Sequence, residues 1–171
     1  MNVLVTETDT PAVVPVVKGA MLSRGTLLSR DLIRLARFCE SVLGLESVRL
    51  PSGKLALRDR RTQGVGEPFW FLEVSEVKEI SMQQTILNHW GVTVDSRDEV
   101  DNAYKLVTEK SEIFGLTRVT KPGDLHGSYC FYIADADSNW WEIEYRAPGS
   151  RYSELEDSVV AERANGKPSD V

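Results

Sequence analysis

The sequence has few of the residues that build disulfide-rich or imidazole-rich proteins: its 171 residues include two cysteines and two histidines. Cys39 and Cys130 have no paired spacing, and they fall in a predicted helix and a predicted strand. This favours buried free thiols in a reducing, cytoplasmic compartment. Two histidines also exclude a metal site made of several imidazoles.

Long apolar runs and clusters of positive charge are missing as well. No stretch approaches the roughly 20 apolar residues that a membrane span needs. Residues 1–17 lack the basic start and apolar centre of a secretory signal. The net charge is −6, from 20 Lys and Arg against 26 Asp and Glu, and the positive residues are scattered. We therefore expect a small-molecule partner, with no nucleic acid and no membrane.

What is present is the composition of a globular protein, with 42% hydrophobic residues, arranged in two similar halves. Residues 1–20 are rich in Thr, Val and Pro and predict an extended arm. Residues 147–171 predict an acidic tail. Between them, residues 21–74 and 88–146 each follow the order strand, helix and three strands, and a connector at 75–87 joins them.

The two halves also match in detail. Asp31 is the predicted N-cap of the first helix and Ser96 that of the second, because short polar side chains accept from the first free N–H groups of a helix. Alignment of Arg24 with His89 places Asp31 on Ser96 without a gap. The halves therefore indicate an internal duplication.

The second half contains a long predicted helix and a predicted loop. The apolar spacing extends its helix from Ser96 as far as Ile113. The segment 121–125 contains a proline and a glycine and is predicted to be a loop.

The last two predicted strands, Ser128–Ala134 and Trp140–Tyr145, form a hairpin around an Asp-Ala-Asp-Ser-Asn turn. Glu142 and Glu144 are two residues apart and therefore point to the same face of the second of these strands. A carboxylate in an apolar strand requires a cation, a proton or hydrogen-bond donors. This hairpin is accordingly the candidate functional region.

The duplicated halves, with His89 opening the second and Asp-x-Asp-x-Asn-x-x-Glu closing it, resemble the vicinal oxygen chelate superfamily. That group includes glyoxalase I, bleomycin-resistance proteins, fosfomycin-modifying enzymes and extradiol ring-cleaving dioxygenases. The resemblance covers residues 21–146. It implies an α+β fold in which two βαβββ modules form a cupped, partly open mixed β-sheet barrel with flanking helices.

The resemblance also implies a divalent metal in the cavity between the modules, with His89 and Glu142 as ligands. Glu142 is preferred to Glu144 because Tyr132 lies ten positions before it, as a tyrosine does in the extradiol branch. Fe2+ is the expected metal, with Zn2+, Mn2+ or Ni2+ as alternatives.

The same resemblance implies roles for four further residues. Tyr132 would hydrogen-bond a substrate oxygen, and His126 would carry protons near the metal. Trp90 and Trp141 are predicted to line the cavity and contact the substrate.

Arg24 departs from the family pattern, because iron-dependent dioxygenases have a histidine ligand at this position. A guanidinium stays protonated and cannot coordinate a metal. Three residues remain as alternatives for the third ligand: Glu73, His126 and Glu144. Otherwise no metal is bound, and Arg24 binds substrate and replaces the metal by an ion pair with Glu142.

Three functions are compatible with the resemblance. The first is an extradiol-dioxygenase-like enzyme acting on a small aromatic or vicinal-oxygen substrate. The second is a metal-free binding protein of the bleomycin-resistance type, and the third is a glyoxalase-type lyase or isomerase that uses Glu73. Two-module proteins of this size commonly build their site across a homodimer, so a homodimer is expected.

Overall fold

The computed structural model describes residues 24–59, 71–82 and 84–149. The predicted N-terminal arm, the segment 60–70 and nearly all of the predicted acidic tail lie outside the described residues. Within the described part of the chain, no helix is long and apolar enough to cross a membrane.

The described residues form eleven helices and strands. Ten of them follow the order that the duplication predicts, and the second module has one additional short strand. The first module contains β1 (Arg24–Ser29), α1 (Leu32–Ser41), β2 (Glu46–Arg49), β3 (Leu55–Arg58) and β4 (Phe71–Glu76). The second contains β5 (His89–Thr93), α2 (Arg97–Glu109), β6 (Arg118–Val119), β7 (Gly123–Leu125), β8 (Ser128–Ala134) and β9 (Trp140–Tyr145).

Each module builds one mixed sheet. The first sheet has the strand order β1-β4-β3-β2, and the second has the order β5-β9-β8-β6, with β7 also paired to β8. The pairs β1–β4 and β5–β9 are parallel, and the other pairs are antiparallel. The predicted α+β fold, with two modules forming a cupped and partly open sheet, is confirmed.

Both helices begin at the predicted caps, and each is followed by a glycine with positive φ. The side chains of Asp31 and Ser96 each accept from the backbone N–H three residues later, at 2.9 and 3.2 Å, so both predicted N-caps are confirmed. Gly44 and Gly115 follow the two helices with φ of 68° and 66°, a conformation that favours glycine.

The second module differs from the prediction in two places. The α2 helix ends at Glu109, not near Ile113, because the chain then turns so that Phe114 packs on the core and Ile113 is 80% exposed. The predicted loop 121–125 contains the strand β7. Pro122 has no N–H to donate to β8, so the edge strand is divided into β6 and β7.

The two modules share one hydrophobic core. The Phe38 ring of α1 lies 6.2 Å from the Trp141 ring of β9, centroid to centroid. Gly25 of β1 lies against Trp90 of β5, and a Cβ atom at residue 25 would come within 2.6 Å of the indole. Each sheet therefore has one face directed towards the shared core and an opposite face, here called the open face.

A buried ion-pair cluster also joins the modules. The Asp137 side chain, only 2% exposed, accepts from Ser29 Oγ at 2.6 Å, Arg30 Nε at 2.7 Å and Arg34 Nη2 at 3.1 Å. Burial raises the pKa of Asp137, but the Ser29 and Arg30 hydrogen bonds and the Arg34 charge outweigh it and hold this pKa below its usual range. The turn of the hairpin is thus a joint between modules.

Candidate functional site

Strand register brings three predicted site residues together on the open face of the second sheet. Tyr132 of β8 is directly opposite Glu142 of β9, and His89 of β5 is opposite Trp140, two positions before Glu142. Because side chains alternate between faces with a period of two, His89, Tyr132 and Glu142 project from the same side.

These side chains are in direct contact. His89 Nε2 lies 3.0 Å from Glu142 Oε2, and the Tyr132 hydroxyl donates to Glu142 Oε1 at 2.9 Å. The His89 and Tyr132 rings meet edge to face with centroids 5.0 Å apart. The Glu142 side chain is 10% exposed and the His89 side chain 28%, so the carboxylate is reached from solvent beside the imidazole.

The other ring nitrogen of His89 fixes the orientation of the imidazole. His89 Nδ1 is 2.6 Å from the carbonyl oxygen of Ile86, which can only accept, so Nδ1 carries the hydrogen. Nε2 of a neutral ring then presents a lone pair to Glu142 Oε2, another acceptor. Two acceptors 3.0 Å apart require a proton between them or a cation that binds both. A backbone carbonyl holds many metal-binding histidines in this way.

Cys130 adjoins the cluster on the same open face, where sequence reasoning had expected only core packing. Burial, followed by the hydrogen bond and charge of Glu142, raises the pKa of Cys130 to about 12. Burial and Glu142 likewise raise the pKa of Tyr132 above its usual value. Both groups therefore keep their protons at neutral pH. Cys130 lies two residues before Tyr132 on the same strand, and this spacing is the sequence signal that could have placed it on the open face.

Glu144, the second carboxylate of the hairpin, has a different partner. It is 3% exposed and accepts from Arg146 Nη2 at 2.6 Å. Gly91 leaves room for it, because a Cβ atom there would lie 3.2 Å from Glu144 Oε1. Of the two carboxylates, Glu142 is the one in contact with His89.

The first sheet repeats this arrangement with different residues. Arg24 is the first residue of β1 as His89 is of β5, and Glu73 is third in β4 as Glu142 is in β9. Arg24 Nη1 lies 3.8 Å from Glu73 Oε2, and Lys54 Nζ lies 2.7 Å from Glu73 Oε1. The Lys54 hydrogen bond, above all, holds the pKa of Glu73 below its usual value. Arg24 therefore pairs with Glu73 and not, as the metal-free alternative supposed, with Glu142.

His126 lies apart from the cluster. It is exposed in the turn between β7 and β8, with φ of 55°. Tyr132 is four residues along the strand from Ser128, roughly 13 Å away. The chain therefore does not bring His126 to the His89 and Glu142 contact.

The structure places both tryptophans that were predicted to contact substrate against the core. Trp141 is 1% exposed, packs on Phe38, and donates from Nε1 to Asp135 Oδ2 at 3.3 Å. Trp90 packs against Gly25. Trp90 is next to His89 on β5, and Trp141 is next to Glu142 on β9. Neighbouring side chains of a strand point to opposite faces, so both indoles point to the core and not to the open face.

Two residues of the cluster, His89 and Glu142, have the chemistry of metal ligands. Within the described ranges, no group of three His, Cys, Asp or Glu is close enough to hold an ion. The three alternative ligands lie elsewhere: Glu73 is paired with cations, Glu144 is paired with Arg146, and His126 is in a distant turn. Among the described residues, His89 and Glu142 are therefore one ligand short of the three protein ligands that open catalytic zinc sites usually have.

No family model matches the chain, and no curated protein matches it in sequence. Solved structures do match. A possible glyoxalase from Bacillus cereus is 22% identical, covers 72% of this chain and 97% of its own, and gives a TM-score of 0.56. A glyoxalase/bleomycin resistance protein from Albidiferax ferrireducens T118 is 18% identical, covers 75% and 100%, and gives 0.54. The chain has the vicinal oxygen chelate fold.

A third structure with the vicinal oxygen chelate fold was determined with ligands. It is a mutant of the genomically encoded fosfomycin resistance protein of Listeria monocytogenes, in complex with Mn(II) and 1S,2S-dihydroxypropylphosphonic acid. It is 17% identical, covers 81% of this chain and 98% of its own, and has a TM-score of 0.56. At these identities the likeness establishes the fold.

Proposed function

We propose that this vicinal oxygen chelate protein is an enzyme that uses a divalent metal, held by His89 and Glu142, to bind two neighbouring oxygens of a small molecule. The approach of His89 Nε2 to Glu142 Oε2 at 3.0 Å, with Nδ1 held by Ile86, carries this proposal. The Listeria structure, which contains Mn(II) and a diol, supports a metal of this kind.

The metal would supply Lewis acidity, which stabilises negative charge on a bound substrate oxygen. Glu142 and the oriented imidazole of His89 would hold it. Tyr132 keeps its hydroxyl proton because its pKa is raised, and in the free protein it donates this single proton to Glu142. With substrate bound, the hydroxyl would turn and donate to a substrate oxygen beside Glu142. His126 is proposed as a proton carrier. It lies away from the cluster, so it would reach the bound substrate from a second copy of the chain or after the turn changes conformation.

The reaction we propose is cleavage of an aromatic ring next to two hydroxyl groups, as in the extradiol branch, with Fe2+ as the metal. The spacing of Tyr132 and Glu142 motivates this choice, and the 2.9 Å bond between them supports it. Oxygen consumption with catechol as substrate, in Fe2+-loaded protein, would test it. Turnover of methylglyoxal with glutathione, without oxygen consumption, would instead identify glyoxalase-type chemistry.

Metal titration tests the central proposal. Calorimetry with Mn2+, Zn2+, Ni2+ and anaerobic Fe2+ should show one ion per chain. H89A and E142Q should each weaken binding by at least tenfold, since even residues that only support ligands contribute 10–100-fold. E109Q is the matched control, because Glu109 is an exposed carboxylate at the end of α2 with no proposed role in the site. Wild-type protein that takes up none of the four ions would overturn the metalloenzyme proposal.

We further propose a homodimer, in which the open faces of two copies complete the cavity. The Glu142 carboxylate is reached from solvent on an open face, beside a half-buried His89, and a second copy would cover it there. Sedimentation equilibrium measures the mass directly. A monomer at all micromolar concentrations would contradict the dimer and leave the metal proposal intact.

A metal-free binding protein is the second candidate, and Arg24 is the observation that favours it. A permanent cation stands where a third metal ligand would be expected. Equal affinity for an aromatic ligand before and after treatment with a chelator would support this candidate. Loss of ligand binding after chelation would support the enzyme.

A further inference from the structure

We propose that the open face of the first sheet is a binding site for a small organic acid, in which Arg24 and Lys54 bind the acid group and Glu73 occupies its place in the free protein. The inference deepens the proposed function and rests on it in one respect, since the proposed dimer would bring this open face to the cavity. The site itself uses no metal and none of the residues around Glu142.

Three side chains carry the inference. Lys54 Nζ is 2.7 Å from Glu73 Oε1, whereas Arg24 Nη1 is 3.8 Å from Oε2 and its side chain is 58% exposed. Two cations therefore converge on one carboxylate, and the cluster retains an excess positive charge. The looser of the two contacts leaves the guanidinium able to turn towards another acid.

The register of the strands shows why these residues form a site. Thr26, Ala56 and Glu73 lie opposite one another on three neighbouring strands, and Arg24 and Lys54 lie two positions away on the same face. All five side chains therefore point to the open face. Arg24 also has the planar fork of donors that matches a carboxylate with two parallel hydrogen bonds.

The surroundings indicate what kind of acid would fit. Leu28 and Val48 project from the same face and are 42% and 36% exposed. Ala56, directly opposite Glu73, leaves this part of the face with little side-chain bulk. Apolar surface beside an anion site favours an acid that carries an apolar body, such as an aromatic carboxylate, over a free inorganic anion.

Charge competition gives the proposal a distinctive test. Calorimetric titration of the full, chelator-treated chain with benzoate, acetate and inorganic phosphate, at constant ionic strength, should show benzoate binding most tightly. R24Q and K54Q should each weaken benzoate binding roughly tenfold, the effect of losing one charge-assisted hydrogen bond. E73Q should tighten it several-fold, because the internal competitor is removed.

R49Q is the matched control, since Arg49 is an exposed arginine of the same sheet at a register position of the core face. It should bind benzoate like the wild type. Urea titration confirms that each variant is folded. R24Q and K54Q that bind like R49Q, E73Q that binds more weakly, or binding of phosphate without benzoate would each overturn the proposal. H89A affects metal uptake only, so the two proposals can fail separately.

Discussion

Glu73 occupies in the first sheet the position that Glu142 occupies in the second. The carboxylates are each third in the last strand of a module and each project to the open face. Their partners differ, because one is held by two cations and the other by an imidazole and a phenol. The two modules therefore place an acid at the same position of each sheet and surround it with different chemistry.

Removal of the Tyr132 hydroxyl should destabilise the protein. Tyr132 is 4% exposed, and Y132F would leave Glu142 Oε1 without its buried donor, which costs about 1–3 kcal/mol. Urea unfolding measures the loss. Y129F is the control, because the Tyr129 hydroxyl bonds Asp101 in an exposed position. Equal losses in the two variants would show that burial of Glu142 does not make this bond important.

Replacement of Asp137 should loosen the joint between the modules. D137N removes a buried charge bonded to Arg30 and Arg34, and we expect a loss of about 1.5–3 kcal/mol. D124N is the control, since it breaks the exposed pair with Arg97 and should cost at most about 1 kcal/mol.

The same substitution should change the acid stability. The pKa of Asp137 is lowered in the folded protein, so the unfolded chain takes up this proton first as the pH falls. The stabilisation is present at neutral pH and is lost below roughly pH 4. Free energies of unfolding between pH 6 and pH 3 should therefore fall more steeply in wild type than in D137N. Parallel curves would contradict this assignment.

A methyl group at residue 25 should disturb the contact between the sheets. In G25A the Cβ atom would lie 2.6 Å from Trp90 Cη2 and 2.7 Å from Leu72 Cδ2, an overpacking that costs about 1–3 kcal/mol. G123A has no heavy atom within 4 Å of the new Cβ and serves as the control. The combination of G25A with W90F should recover part of the loss. Thermal unfolding that ranks G123A below G25A would contradict the prediction.

Both cysteines should resist thiol reagents in the native protein. Cys39 and Cys130 are free and buried, and burial is the main reason that both have raised pKa values. The thiolate is the reactive species, so little is available at pH 8. Titration with a chromogenic disulfide should give no rapid reaction before denaturant is added and two thiols afterwards. Rapid native labelling would show that one site opens readily.

The sequence by itself determined both N-caps, the strands of the last hairpin and, apart from the short strand β7, the order of helices and strands. These features follow from local chemistry, namely polar caps, apolar spacing and turn residues. The strands Ser128–Ala134 and Trp140–Tyr145 have the predicted bounds. The end of α2 could not be predicted from local sequence, because the packing of Phe114 against the core determines it.

Only the tertiary structure decided which side chains meet. Alternation along the strand places Glu142 and Trp141 on opposite faces, but the sequence does not reveal which face is covered by helices. Trp141 was therefore predicted to contact substrate, whereas its side chain lies in the core. The same holds for Arg24, whose partner is Glu73 because β1 pairs with β4 in one register. Local propensity sets the strands, whereas register and packing between strands far apart in the chain set the contacts of the candidate site.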